Sequence, residues 1–137
     1  MRIRFAVFGL LLTTLGATAS AAQAPDFSSY SGAELYKRFC SACHGAKAEG
    51  DGPVAASFKI MVPDLTRIAK RQGGKFPDER IHRIIDGRQV PAPHGSREMP
   101  IWGWEFATVA KDGTPDLATG DLLVARLVDY LRGIQKP

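Results

Sequence analysis

Residues 40–53 read CSACHGAKAEGDGP and hold both cysteines of the 137-residue chain, with a histidine directly after the second. Cys40 and Cys43, at i and i+3, lie on one side of a helical turn, so both sulfurs can meet the same edge of a partner. Three partners suit two thiols and an imidazole: a disulfide, a metal ion, or a porphyrin whose vinyl groups take up the sulfurs as thioethers. A disulfide closing so short a loop removes little chain entropy and is a poor staple for a small domain. A zinc site would draw on Cys40, Cys43, His44 and one of His82 or His94, but it lacks a second paired half-site. A thioredoxin-like redox pair requires a βαβ context.

The flanking sequence supplies helices instead. Ser31 followed three residues later by Glu34 forms a capping box, with Tyr30 before the cap and Leu35 placed for a hydrophobic staple. Leu35, Tyr36, Phe39, Cys40 and Cys43 recur at three- and four-residue spacing, which predicts a helix from Gly32 to Ala42. Residues 45–53 are Gly-rich and polar, a loop. Residues 64–72 predict a short helix capped by Asp64 and stopped by Gly73-Gly74. PDERIHRIIDG (77–87) predicts another, with early acids and Ile81, Ile84 and Ile85 as its apolar residues. Residues 88–120, rich in Pro, Gly and small polar residues around two tryptophans, read as a long ordered loop. The last helix starts at Thr119 or Asp121 and carries Leu123, Leu127, Tyr130, Leu131 and Ile134 on one stripe. No alternating strand pattern and no internal repeat is present. Short helices joined by long loops rarely make a dry core unaided, so a bulky apolar cofactor is the natural centre of such a chain.

The N-terminus is a separate element. Arg2 and Arg4 form a basic start, Phe5 to Leu12 with Leu15 form a short apolar run, and small residues lead to Ala19-Ser20-Ala21. This is the pattern of a secretory signal peptide cleaved after Ala21; the strongly apolar part is roughly half of the ~20 residues that a spanning helix needs. Residues 1–21 are therefore read as a cleaved signal, 22–29 as a flexible lead-in and 30–137 as the single domain. Cleavage removes Arg2 and Arg4 and no acids, so 18 basic residues fall to 16 against 14 acids, a net charge of +2. So small a charge argues against nucleic acid, which calls for a concentrated basic face.

Cys40-x-x-Cys43-His44 is the attachment signature of haem c. His44 is then held beneath the ring, where an imidazole nitrogen can bind iron. Export fits this chemistry, because c-type attachment is completed outside the cytoplasm. Over nearly its full mature length the chain resembles a class I cytochrome c of the bacterial periplasmic kind. The resemblance rests on GAELYKRFCSACHG, Gly50-Asp51-Gly52-Pro53, the IDGR of Ile85 to Arg88, HGSREMPIWG (94–103) and the terminal LVDYLRGIQ.

That resemblance implies an all-α class I cytochrome c fold, three to five short helices and long loops wrapped around one covalently attached haem and its iron. Cys40 and Cys43 would form the thioethers, and His44 and Met99 would be the axial ligands. Met61 competes less well, set among Phe58, Ile60 and Val62 as core packing; His82 and His94 are the remaining candidates. The resemblance also makes the carbonyl of Pro53 the partner of the His44 ring, and gives Trp102, Trp104 or Arg88 as neighbours of a haem propionate. Gly32 and Tyr36 resemble the residues that cross the terminal helix near Leu127 and Tyr130. The implied function is a soluble periplasmic one-electron carrier, not an enzyme, monomeric, exchanging electrons with a donor and an acceptor protein and using no small-molecule substrate. The alternative is a cytochrome c subunit bound within a larger respiratory oxidase or dehydrogenase.

Overall fold

The computed structural model describes residues 26–89, 102–109 and 114–137. The capping box forms as read: the Glu34 amide donates to Ser31 Oγ (3.3 Å), and the Ser31 amide donates to Glu34 Oε2 (2.8 Å). It starts α1, Gly32–Phe39. The predicted single helix to Ala42 divides at Cys40, whose φ of −113° opens the turn, and a separate turn α2 follows over Ser41–His44. A 3-10 turn at Ala55–Ser57 interrupts the next loop. Asp64 then accepts from the Thr66 amide (2.8 Å) and starts a 3-10 turn, Leu65–Arg67, that runs into α3, Ile68–Arg71. α4 covers Asp78–Ile85.

Within the stretch read as one long loop lie α5, Trp102–Glu105, and a two-residue antiparallel pairing of β1, Thr108–Val109, with β2, Pro115–Asp116. α6 runs over Leu117–Gly133 and is capped by Asp116, which accepts from the Thr119 amide at 3.2 Å. It therefore begins two residues before Thr119, the earlier of the two starts read from the sequence. The all-α class holds. The described residues form six α-helices rather than three to five because α2, α3 and α5 are turns of only four residues. No helix among the described residues is long and apolar enough to cross a membrane.

α6 is the spine. It buries Leu123, Val124, Leu127, Val128 and Leu131 against α1, α4 and α5. Each such side chain contributes about 1.5–3 kcal/mol when fully buried. α1 crosses α6 at Gly32, where a Cβ would stand 2.1 Å from the Arg126 carbonyl oxygen, and the Tyr36 and Tyr130 rings meet beside it at 5.2 Å. The crossing read from the sequence is present. Phe27, assigned to the lead-in, is buried instead, with edge contacts to Tyr30, Phe39 and Phe106. Met61 is 91% exposed, so it is not a core residue. It sits in the irregular stretch after the 3-10 turn, and half-buried Val62 takes the inward position. Beyond α6 the chain is sewn to the 65–69 segment. Gln135 accepts from the Ala69 amide and donates to the Leu65 carbonyl, both at 2.8 Å, and the Lys136 amide donates to Thr66 O at 2.8 Å.

Candidate haem site

The break between α1 and α2 presents the motif. The His44 and Cys43 amides both donate to the Cys40 carbonyl, at 2.8 and 3.2 Å, so the three residues sit on one tight turn. The following loop folds back behind it: Gly52 N–H donates to Cys43 O and Val54 N–H to Ala42 O, both at 3.1 Å. Gly52 has no room for a side chain, since a Cβ there would lie 2.3 Å from the Ala42 carbonyl oxygen. This backing holds α2 in place although it is too short to be stable alone.

The carbonyl that meets His44 is that of Pro63, 3.3 Å from Nδ1, and not that of Pro53. The two bonds from Gly52 and Val54 tie residues 52–54 to the rear of the motif and leave Pro53 exposed. The chain needs another ten residues to come round to the ring. With Nδ1 protonated, the ring donates to Pro63 and keeps Nε2 as a lone-pair donor, the arrangement that orients a metal-ligating histidine. On the other side of the turn, Tyr36 Oη donates to the Gly45 carbonyl at 2.6 Å. Burial, with nearby groups of negative charge when ionised, pushes its hydroxyl pKa up.

Cys40 and His44 line a cavity of about 300 Å³. Leu65 and Ile68 form one side, Ile81, Ile84 and Ile85 of α4 another, and Leu127 and Leu131 of α6 a third. The volume lies at the small end of ligand pockets, about 300–1,000 Å³, and its walls have their apolar character. Burial, and secondarily Cys43, pushes the Cys40 thiol up to about 12, so it stays protonated and is a poor thiolate ligand or exchange nucleophile. Cys40 and Cys43 are both unbridged. Among the described residues no three His, Cys, Asp or Glu side chains are grouped to hold a metal ion. The zinc reading loses its fourth-ligand candidate on α4, because His82 faces Asp86 (Nδ1–Oδ2 3.1 Å) and Asp121 of α6 (Nε2–Oδ1 3.3 Å). An apolar cleft with a thiol and a lone-pair imidazole in one wall fits a thioether-linked macrocycle better than any of the alternatives.

The other sequence candidates divide. Met99 and His94 lie outside the described residues. Trp102 packs on Phe106 (5.5 Å) and Phe39 (5.2 Å), whereas Trp104 is exposed. Arg88 Nε donates to Asp86 Oδ2 at 2.5 Å. The Asp86 carboxyl is partly buried, which raises its pKa, but the Arg88 amide and guanidinium and the His82 ring outweigh this and hold it below the usual carboxylate range. None of Trp102, Trp104 and Arg88 is in the cavity wall.

The family profile described as Cytochrome c matches residues 29–134. The chain belongs to the cytochrome c family. Membership brings covalent haem c with its iron, for which Cys40, Cys43 and His44 have the required spacing, and haem-based electron transfer. The chain is also similar to a solved structure, the KustC0563 c-type cytochrome, at 22% identity over 78% of this chain and 100% of that one, with a TM-score of 0.46. No protein of curated function matches.

Proposed function

We propose that this cytochrome c is a soluble periplasmic electron carrier with one haem, thioether-linked at Cys40 and Cys43 and ligated through His44 and Met99. The observation that carries the reading is the His44 ring, lodged in the wall of an apolar cavity with Nδ1 held by the Pro63 carbonyl. Bound haem supplies a one-electron ferric/ferrous couple. The protein's part is to fix the imidazole so that Nε2 points one way, and to surround the bound group with Ile and Leu side chains that exclude water. A dry, low-dielectric surrounding disfavours the more highly charged ferric form and raises the potential. Met99, as the second ligand, would supply a thioether that acts in the same direction and would leave the iron no position for a substrate, which supports a carrier over an enzyme.

The leader pattern of residues 1–21 supports export to the periplasm, and the modest net charge supports protein partners, an electron donor and an acceptor, rather than nucleic acid. The test is the visible spectrum of protein matured in a periplasm, oxidised and reduced. The reading expects a six-coordinate spectrum in both states and a weak methionine-to-iron charge-transfer band in the red when ferric. A five-coordinate spectrum that shifts on adding carbon monoxide would overturn the Met99 assignment and with it the carrier role.

A further inference from the structure

The carbonyl that orients the His44 ring belongs to a residue with no regular structure to hold it. Pro63 lies in the irregular stretch between two 3-10 turns, and a proline has no amide hydrogen to anchor it. The nearest fixed point is Leu65, two residues on, which is gripped from both sides. From the motif side, the Leu65 amide donates to Ala48 O at 2.7 Å. Ala48 is fully buried with φ at 62°, and among the described residues it is the one non-glycine with a positive φ. An alanine takes that left-handed conformation only under strain, and strain retained at one backbone position points to a contact that the fold requires. From the α6 side, the Leu65 carbonyl accepts from Gln135 Nε2 at 2.8 Å.

Both N–H groups and the carbonyl of the Gln135 side chain are in use. Nε2 also donates to Leu131 O in the last turn of α6 (2.7 Å), and Oε1 accepts from the Ala69 amide at the start of α3 (2.8 Å). Two carbonyls and one N–H around the amide admit only this orientation. One half-buried side chain thus joins both ends of the 65–69 segment to the end of α6, and Leu65 and Leu131 both line the haem cavity. We infer that Gln135 is a positioning residue for the axial histidine, acting through Leu65 and the Pro63 carbonyl. The single bond from Ala48 lets the segment pivot. The second grip, from α6, fixes the direction of the Pro63 carbonyl and so the strength of the bond that His44 Nδ1 gives it. That bond makes the imidazole a more basic ligand, which favours ferric iron. The inference rests on the haem reading above, with His44 as ligand.

The experiment uses the full holoprotein, with covalent haem first verified by its resistance to acid-acetone extraction. Gln135→Met keeps the length of the side chain and removes its three bonds. Val124→Ala, on the buried face of α6 but outside the cavity wall, is the stability control. Two quantities are read beside the melting temperature: the midpoint potential, and the NMR position of the His44 Nδ1–H proton in the reduced state. Both substitutions should lower the melting temperature. Gln135→Met alone should move the ring proton upfield, as a lengthened hydrogen bond requires, and raise the potential. Losing a direct partner of a metal-ligating histidine changes affinity or activity about 10–100-fold. A group one step behind that partner should change electron uptake from a fixed donor on the order of threefold, about 30 mV at ~59 mV per tenfold for one electron. Gln135→Asn keeps the amide but is one methylene too short to reach both Leu65 and Ala69, so it should reproduce the shifts. It carries the comparison if Gln135→Met does not mature. Either quantity staying at its wild-type value in the Gln135 variants, or both moving equally in Val124→Ala, would reduce Gln135 to a structural clasp and overturn the inference while leaving the haem reading intact. A lowered potential would overturn it too, since that is the mark of water entering the cavity. Haem extracted from the wild type would overturn both.

Discussion

At the scale of single residues, the motif turn is held by backbone carbonyls: Cys40 O takes the Cys43 and His44 amides, and Gly45 O takes the Tyr36 hydroxyl. Cys40, Cys43 and His44 are identifiable because thiol and imidazole chemistry resides in side chains and the spacing is fixed by the turn. The partner of the His44 ring was not, because every residue has a backbone carbonyl, and which one arrives is decided by the path of the loop. Gly50-Asp51-Gly52-Pro53 drew attention to Pro53, whereas its tight turn serves to back α2, and Pro63 completes the return. Another backbone carbonyl tests how rigid this turn must be. Tyr36 is 2% exposed and its hydroxyl is bonded to Gly45 O. Tyr36→Phe leaves that carbonyl without its donor and should cost about 1–3 kcal/mol, read as a lowered denaturation midpoint with an unchanged spectrum. Met99→Ala should act in the reverse sense, opening the iron to carbon monoxide and changing spectrum and potential; an unaltered spectrum would place the ligand elsewhere.

Among the elements, α1, the α3 segment, α4 and α6 announced themselves through caps, apolar spacing and glycine stops. α2 and α5 did not, since a four-residue turn is too short to show a period, and neither did the two-residue β1–β2 pairing. Such pieces are held by what they pack against, as α5 is by α6: a Cβ on Gly120 would stand 2.5 Å from the Gly103 carbonyl oxygen. The α1–α6 crossing makes the same point through substitution to alanine. At Gly32 the added methyl meets the Arg126 carbonyl and the Tyr130 Cβ, both backbone-fixed, so the helices must part. Gly32→Ala should destabilise by about 1–3 kcal/mol or more. Gly133→Ala, at the last residue of α6 with nothing within 4 Å, should instead be neutral or stabilising by up to about 1 kcal/mol. Thermal melts of the two holoproteins check the pair, and equal effects would mean that the crossing is looser than its geometry.

For the whole molecule, charge governs both stability and encounter. Glu34 is held below the usual carboxylate range by the Ser31 hydroxyl and amide, Glu49 by Lys136, and Asp116 by Thr119. At Asp64 burial opposes the shift, and the Thr66 bonds with Arg67 and Lys136 overcome it. Each folded-state pKa lies below its unfolded value, so the stability it brings is complete above about pH 4–5 and is lost as pH falls through the folded values. Melting temperature should therefore fall on the acid side only as pH passes below that window, with little change from carboxylates between pH 5 and 7. Encounter depends on how charge is spread, which the sequence total conceals. The whole chain carries a net charge of only +4, yet Arg67, Lys70, Arg71 and Lys75 fall within nine residues, and Lys47 and Lys59 are exposed on the loop that backs the haem motif. Asymmetry of this kind steers an approaching acidic protein, and such steering weakens as salt screens it over a Debye length of about 8 Å at physiological ionic strength. Electron transfer to a physiological partner should slow as ionic strength rises, and Lys47→Glu and Lys59→Glu should slow it at low salt while leaving the potential unchanged. Stopped-flow rates that stay flat from low to high salt would remove steering from the account and leave docking to apolar contact, for which Val54, 40% exposed and bonded through its amide to Ala42 of the motif, offers an exposed apolar side chain.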